Sequence, residues 1–404
     1  MPSLHTVIAG PWRAVLVLGV TQIVTWGTLF YPPVLTIPLI AAERSWSTTF
    51  AMGGFSLALL TAGFASPHVG RVIDRYGGHR VMPVGSLLAA FGLVALVHAE
   101  HPAAYLAAWM LLGVAIAASL YDPAFATLGR IFGADARSPI TALTLAGGFA
   151  STVSWPVTHL LIQSTGWRGT YLVYAAVLAF VAAPLHAFVL PRTRAEPPPP
   201  ATAPATPPTP VLPSYGWAFV TVAAAFAAYA FVPSGLSAHL LAIFGRAGID
   251  AATVVTIGAL FGPSQVIARI CELLLARGVH PLMVARLAVG ILLLAFALLA
   301  WLGVSALIAA AFMVMFGIAN GLITISRGAV PLVLFGPAGY GALIGRIAGP
   351  SLVMQAIAPL VLAFVAERAS DSAALALVAL LALVAFVGLA ILRPPNSTSP
   401  SWGR

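Results

Sequence analysis

The chain contains no lysine and a single cysteine, and only 7% of its 404 residues are charged. Without lysine there is no G-x-x-x-x-G-K-[ST] loop to cradle a nucleotide, so ATP-driven chemistry of that kind is excluded. A lone thiol, Cys271, excludes disulfides and cysteine-based metal centres together, and neither a metal nor a cofactor is expected. Acidic residues number ten, far fewer than the surface of a water-soluble fold of this length requires. What is abundant is apolar: 60% of the residues are hydrophobic and the mean hydropathy is +1.01. Such a composition calls for membrane-spanning helices of about 20 residues each. A soluble enzyme is excluded, and the lipid bilayer is the first partner the sequence implies.

The net charge of +9 is carried entirely by arginine. These residues fall mostly in loops between apolar runs rather than in a stripe, so they orient the chain in a bilayer and imply no nucleic-acid partner. Arg44, Arg168, Arg246 and Arg368 lie in the loops after odd-numbered helices. Arg13, Arg71, Arg75, Arg80, Arg130, Arg137, Arg192, Arg194, Arg277, Arg393 and Arg404 lie in the even loops and the tails. Eleven against four places both termini in the cytoplasm. Arg13 precedes an apolar run reaching Ile40, too long for the core of a signal peptide, so this run is expected to remain as the first span. An inner (plasma) membrane location follows.

Twelve helices can be marked, at about 12–40, 48–69, 80–98, 103–129, 138–163, 169–190, 215–243, 251–274, 281–302, 304–334, 340–366 and 372–392. Continuous apolar runs favour helices over the ten-residue alternation of a barrel. Between Leu190 and Gly216 runs PRTRAEPPPPATAPATPPTPVLPSY, whose ten prolines forbid a helix and favour an extended linker. The expected organisation is an N-terminal six-helix bundle at 1–190, a cytoplasmic linker at 191–214, a C-terminal six-helix bundle at 215–392 and a cytoplasmic tail at 393–404. Sliding the sequence on itself by about 203 positions aligns Pro32 with Pro233 within two positions, Ser47 with Asp250, Gly133 with Gly336, and Pro156 with Pro359. The fold class is therefore all-α integral membrane, with twelve transmembrane helices arranged as two six-helix pseudo-repeats.

The loop after the second helix reads Gly70-Arg71-Val72-Ile73-Asp74-Arg75-Tyr76-Gly77-Gly78-His79-Arg80. Through Gly70, Asp74, Arg75, Gly77 and Arg80 it resembles the G-x-x-x-D-R-x-G-x-x-R signature of the major facilitator superfamily. The resemblance implies that fold, and transport by alternating access, with this loop as a conformational switch in which Asp74 engages a helix end or an arginine of the other half. Two departures bear on the branch. The fourth helix carries Trp109-Met110-Leu111-Leu112-Gly113 where proton-coupled drug antiporters carry an R-x-x-q-G arginine. The eighth helix carries Gln265-x-x-x-Arg269, similar to the acid-then-arginine spacing of monocarboxylate porters and to the helix 8 arginine of oxalate-type anion exchangers, with Gln265 in place of the acid.

Ionisable groups within spans are costly and must face protein or a watery cavity. Asp122, Arg269, Glu272 and Arg327 are the four that stand out. Arg269 and Arg327 are candidates for holding substrate, because a guanidinium offers a planar fork to a carboxylate. Asp122 and Glu272 are candidates for proton coupling. In the resembled fold, helices 4 and 10 line the central path, which sets Asp122 across from Arg327. A local pair between Arg269 and Glu272, three residues apart, is the structural alternative for both. Gln22, Tyr31, Gln265, His239 and Asn320 complete the substrate-binding candidates. The expected function is secondary active transport of a small organic anion, a carboxylate, driven by protons or by exchange, in a protein acting as a monomer. Export of drug-like or amphipathic compounds, with Trp26, Trp155 and Tyr229 lining the path, is the alternative. An intramembrane hydrolase built on Ser234 and His239 is disfavoured, because residues five apart on a helix face different ways and no third residue orients the base.

Overall fold

The computed structural model describes residues 10–192, 216–276 and 278–393. Residues 1–9, residues 193–214 of the expected linker, residue 215 of the expected C-terminal bundle and residues 394–404 of the tail, with Arg194, Arg277 and Arg404, lie outside them. Among the described residues every regular element is helical. Ten stretches are long and apolar enough to cross a membrane, and one of these, Pro102–Val189, runs for 88 residues. That stretch is interrupted at Gly133 (φ 57°) and Gly166 (φ 70°), left-handed conformations that glycine adopts without a Cβ penalty. It therefore makes three crossings, and with the nine others the bundle has twelve.

The crossings are α1 (Arg13–Glu43), α2 (Thr48–Tyr76), α3 (Gly78–His98), α4 (Pro102–Ser119 and Tyr121–Phe132), α5 (Arg137–Gly147, resuming at Ala150 and reaching 165), α6 (167–189), α7 (Gly216–Arg246), α8 (Ala251–Ala259 and Phe261–Leu275), α9 (Pro281–Leu302), α10 (Ala306–Phe335), α11 (Tyr340–Arg368) and α12 (Asp371–Ile391). The end of the bundle where α1 begins and α12 finishes is called the terminal end; the opposite one is the far end. α1 is not the continuous helix expected over 12–40: it stops at Leu29 and restarts at Pro33. Pro32 and Pro33 remove two successive backbone N–H donors, and the chain breaks there. α7 carries the matching Pro233 inside one unbroken helix.

The 203-residue register is visible in three kinds of local chemistry. Ser47 accepts the Phe50 N–H at 3.1 Å and caps α2, while Asp250 accepts the Thr253 N–H at 3.0 Å and caps α8. Gly133 and Gly336 (φ 79°) end α4 and α10. At the far end, Glu43 closing α1 pairs with Arg168 opening α6, and Arg246 closing α7 pairs with Asp371 opening α12 at 2.7 Å. Both partners of the second pair lie 203 positions after those of the first, with acid and base exchanged.

The two halves meet along α2 and α11, whose backbones approach through small residues. Gly63 packs on the Gly349 carbonyl, Gly345 on Ser66, and Gly70 on Gly341. A methyl group added at Gly63 would lie 2.9 Å from the Gly349 oxygen, and one at Gly341 would lie 2.6 Å from the Gly70 oxygen. Gly341, Gly345 and Gly349 recur every fourth residue, one face of a helix, which is the small-residue spacing that lets membrane helices touch. Gly345→Leu should wedge this seam, at a cost of about 1–3 kcal/mol. Spin labels placed across the terminal end should then move to longer separations while labels within one half keep theirs; unchanged cross-half distances would refute the seam.

Candidate functional site

Four of the twelve crossings change course partway: α1 at Phe30–Pro32, α4 at Leu120, α5 at Gly148 and Phe149, and α8 at Leu260. A helix break frees backbone carbonyls and amides that must find side chains within the membrane. At the α4 break the Ser119 carbonyl accepts the Gln22 Nε2–H at 2.8 Å and the Thr25 hydroxyl at 3.4 Å. The Gln22 Oε1 accepts the Trp26 indole N–H at 3.1 Å. Gln22 is thus fully buried and engaged by the chain itself.

At the α5 break the Thr144 carbonyl accepts the Arg269 Nη1–H at 2.8 Å, across the boundary between halves. The guanidinium lies directly over Gly148, where any Cβ would collide with Nη1. Arg269 Nη2 donates to Gln265 Oε1 at 3.3 Å, and that same oxygen accepts the Asn320 Nδ2–H at 2.9 Å. Arg269 is only 4% exposed, its Nε is buried without a partner, and no carboxylate lies within 4.0 Å of it among the described residues. From the N-terminal half, the Tyr31 hydroxyl comes near Ser151, Tyr121 and Arg269. The rings of Trp26, Tyr31, Tyr121 and Trp155 form one cluster: Trp26 lies 5.0 Å from Tyr121 and 6.2 Å from Tyr31, and Tyr31 lies 6.4 Å from Trp155.

The expected alternative, an Arg269–Glu272 pair along one helix, is not formed. Glu272 Oε1 pairs with Arg137 Nη2 at 2.9 Å, and its Oε2 accepts the Thr141 hydroxyl at 3.1 Å, both on α5. Arg137 also donates to the carbonyls of Ala276 and Val279. The two charges of α8 therefore diverge, Glu272 toward Arg137 and Arg269 toward the α5 break. Sequence reasoning took Arg137 as a topogenic loop charge and passed over Thr141, Gly148 and Tyr121; only the Gly147-Gly148 dipeptide signalled a break there.

Arg327 Nη2 donates to Asp122 Oδ2 at 2.8 Å, joining α10 to α4. Asp122 sits in the first turn of the second α4 segment, where the helix dipole favours its negative charge. Tyr340 of α11 packs on Gly129 of α4 and donates its hydroxyl to the Gly328 carbonyl. Lower still, Asp74 Oδ1 accepts the Gly341 N–H at 2.8 Å and Oδ2 the Ala342 N–H at 2.7 Å. A carboxylate at the N-terminus of α11 satisfies two orphan donors and opposes the positive end of that helix. Arg130 donates to the Asp74 carbonyl. Gly70 and Gly77 supply the close approach and a turn with φ 83°, whereas Arg75 stacks on Tyr76 and Arg80 is exposed. His239 is placed elsewhere, hydrogen-bonded to the Pro359 carbonyl at 3.0 Å, and Ser234 donates to the Gln355 carbonyl at 2.7 Å.

These bonds divide by end. The far-end ion pairs bind helices within one half; the terminal-end ties, on Asp74, Asp122, Glu272 and Arg269, run between halves. Two six-helix repeats joined at one end by polar bonds, around buried groups at helix breaks, define a class of duplicated helical membrane protein. Residues 16–347 match the Major Facilitator Superfamily, and the chain belongs to that family. It is similar to monocarboxylate transporter 6 of Homo sapiens, 26% identical over 215 residues, or 51% of this chain and 42% of that protein. It is also similar to an MFS-type efflux pump of Mycolicibacterium smegmatis, 32% identical over 184 residues, or 44% of this chain and 42% of the pump. The chain thus spans less than half the length of these relatives. Among solved structures, the human organic anion transporter MFSD10 has the same fold, with a TM-score of 0.71 at 15% identity over 96% of this chain and 100% of that one. The protein is a multi-pass membrane protein of this superfamily.

Removing one partner of a mostly buried ion pair costs about 2–5 kcal/mol. Because Arg137 is 21% exposed, the lower part of that range applies to Glu272. Glu272→Gln should lower the apparent melting temperature in detergent by a few degrees, whereas Asp250→Asn, at the surface, should change it less. Equal melting temperatures for the parent and Glu272→Gln would show that the α5–α8 tie contributes nothing.

Proposed function

We propose that the protein is a secondary active transporter of a small organic anion, a carboxylate, which moves by alternating access on a proton gradient or by exchange. The observation that carries this reading is Arg269: a buried cation with an unpartnered Nε and no carboxylate of its own. Leaving such a charge in a low-dielectric interior is expensive, so a diffusible anion is its natural counter-charge. Gln265, Asn320 and Tyr31 are positioned to orient the rest of a small polar molecule. The names of the relatives, monocarboxylate and organic anion transporters, support the same class. A carboxylate accepting from Arg269 adds an ionic attraction and a bidentate fit that the Thr144 carbonyl does not offer. Binding therefore competes with the α5–α8 tie and loosens the terminal end. Arg327 is the second cation on the path, held by Asp122 until that pair parts, and the loop Gly70, Asp74, Arg75, Gly77 and Arg80 is the switch that recloses it.

The arginine bias supports cytoplasmic termini in an inner (plasma) membrane, with the six-helix bundles at 1–190 and 215–392 joined by a cytoplasmic linker. With that orientation the closed terminal end is the cytoplasmic one. The substrate and protons, not a protein partner, are the molecules this site calls for, and the carrier works as a monomer. A second reading rests on the ring cluster of Trp26, Tyr31, Tyr121 and Trp155, which suits flat amphipathic compounds, and on the efflux-pump relative.

In proteoliposomes, a panel of small mono- and dicarboxylates should show saturable uptake that Arg269→Gln reduces by about 30-fold or more. Full uptake by Arg269→Gln would remove the anion site from Arg269. Saturation only by amphipathic compounds would favour the export reading. Gly148→Ala places a methyl group where Nη1 lies and should raise the half-saturation concentration about 10-fold. Gly53→Ala, whose Cβ meets nothing within 4 Å, is the control and should leave it unchanged.

A further inference from the structure

Three carboxylates lie between the halves, and only one of them has a free oxygen. Both oxygens of Asp74 accept backbone amides of α11, and both oxygens of Glu272 are held by Arg137 and Thr141. Asp122 uses Oδ2 for Arg327, while its Oδ1 is buried with no partner, as is Arg327 Nε. Beside Asp122 is a cavity of about 10 Å³, lined by Ser66, Gly70, Asp122, Pro123, Gly341 and Gly345. That volume admits the centre of about one water molecule, and its walls carry the polar groups that a water needs. The same glycines form the α2–α11 seam, so the carboxylate lies against the surface that must part when the terminal end opens.

We propose that Asp122 is the proton-binding site of the transport cycle, and that Arg327 is the partner its protonation releases. This deepens the transport reading above and rests on it only for what is carried. With Asp122 ionised, the pair ties α4 to α10 and the terminal end stays shut. A proton adding to Oδ1 forms a neutral carboxylic acid and removes the charge that holds Arg327. The halves then separate at that end, and the proton leaves from Oδ1 to water on the terminal side once the glycine seam has parted. Gln265 strengthens the assignment by elimination, because an amide beside Arg269 carries no proton.

The groups around Asp122 are consistent with a switch. α10 supplies Arg327, and α11 supplies the Tyr340 hydroxyl, close enough to Asp122 to interact with its charge. α2 supplies Asp74, engaged with α11 and with Arg130 of α4. Toward the terminal end α1, α3 and α5 contribute Arg13, His79 with Arg80, and Arg137. None of these is a second carboxylate with an unpartnered oxygen.

Two measurements on the reconstituted full chain test this. First, the parent should accumulate anion on an imposed pH gradient, and Asp122→Asn should lose at least 10-fold of that accumulation while retaining exchange of preloaded anion. Second, spin labels across the terminal end should separate on acidification in the parent, and stay insensitive to pH in Asp122→Asn. Should Asp122→Asn fold poorly with Arg327 stranded, the Asp122→Asn/Arg327→Gln double variant removes both charges and should be equally insensitive. Asp122→Glu should restore the response. A pH-dependent separation lost in Asp122→Asn, in a parent that exchanges no anion, would support the proton site and remove the anion reading. Gradient-driven accumulation or acid-induced separation that persists in either variant overturns the proposal.

Discussion

A charge inside a membrane must be answered by another group, because hydrocarbon offers it neither water nor counter-ions. In this protein that requirement decides where the two halves hold together. At the far end Glu43 and Arg168, and Arg246 and Asp371, are answered within a half. At the terminal end the carboxylates of Asp74, Asp122 and Glu272 accept hydrogen bonds from groups of the other half. The strong bonds across the interface are thus gathered at one end. Arg269 departs from the pattern: it crosses the interface and finds a carbonyl instead of a carboxylate. Closure consequently leaves one positive charge unanswered, at the level where four helices change course.

Those changes of course and the glycine seam are two uses of the same backbone. Where α4 interrupts, the Ser119 carbonyl becomes an acceptor for Gln22, while on α5 the Thr144 carbonyl accepts Arg269 in addition to the Gly148 N–H. Where α2 and α11 remain unbroken, Gly63, Gly345 and Gly70 let the two backbones touch. Contact of that kind depends on van der Waals fit, with no strong bond to break until Asp74 at the base. A seam that is close yet weakly bonded can part and reform, and Asp74 on the α11 amides is placed to set how readily it does.

Much of this was legible before any coordinates. Twelve crossings, the 203-residue duplication and the caps at Ser47 and Asp250 follow from apolar runs and short-range hydrogen-bonding rules, which depend on neighbours in sequence. The position of Asp74 on a helix end of the other half was expected from the loop that carries it. Of the two readings open for α8, the local pair is not the one that forms: Glu272 reaches Arg137, 135 positions away in the chain. Gln22 and His239 look like cavity residues by type, but each is engaged by a backbone carbonyl that only packing brings near. The four-residue spacing of Gly341, Gly345 and Gly349 was readable as a packing face, although nothing in the spacing said that α2 is what it packs on.

The sequence by itself determined that this chain crosses a membrane twelve times as two related halves, because hydrophobicity, helix caps and turn glycines act over a few residues. It also determined which charges would have to be buried. Tertiary structure alone decided which of those charges meet, since Asp122 and Arg327, or Arg137 and Glu272, are distant in sequence and close only because α4 faces α10 and α5 faces α8. That arrangement leaves Arg269 without a carboxylate and Asp122 with one bare oxygen, and both follow from how the halves seat against each other rather than from any local rule.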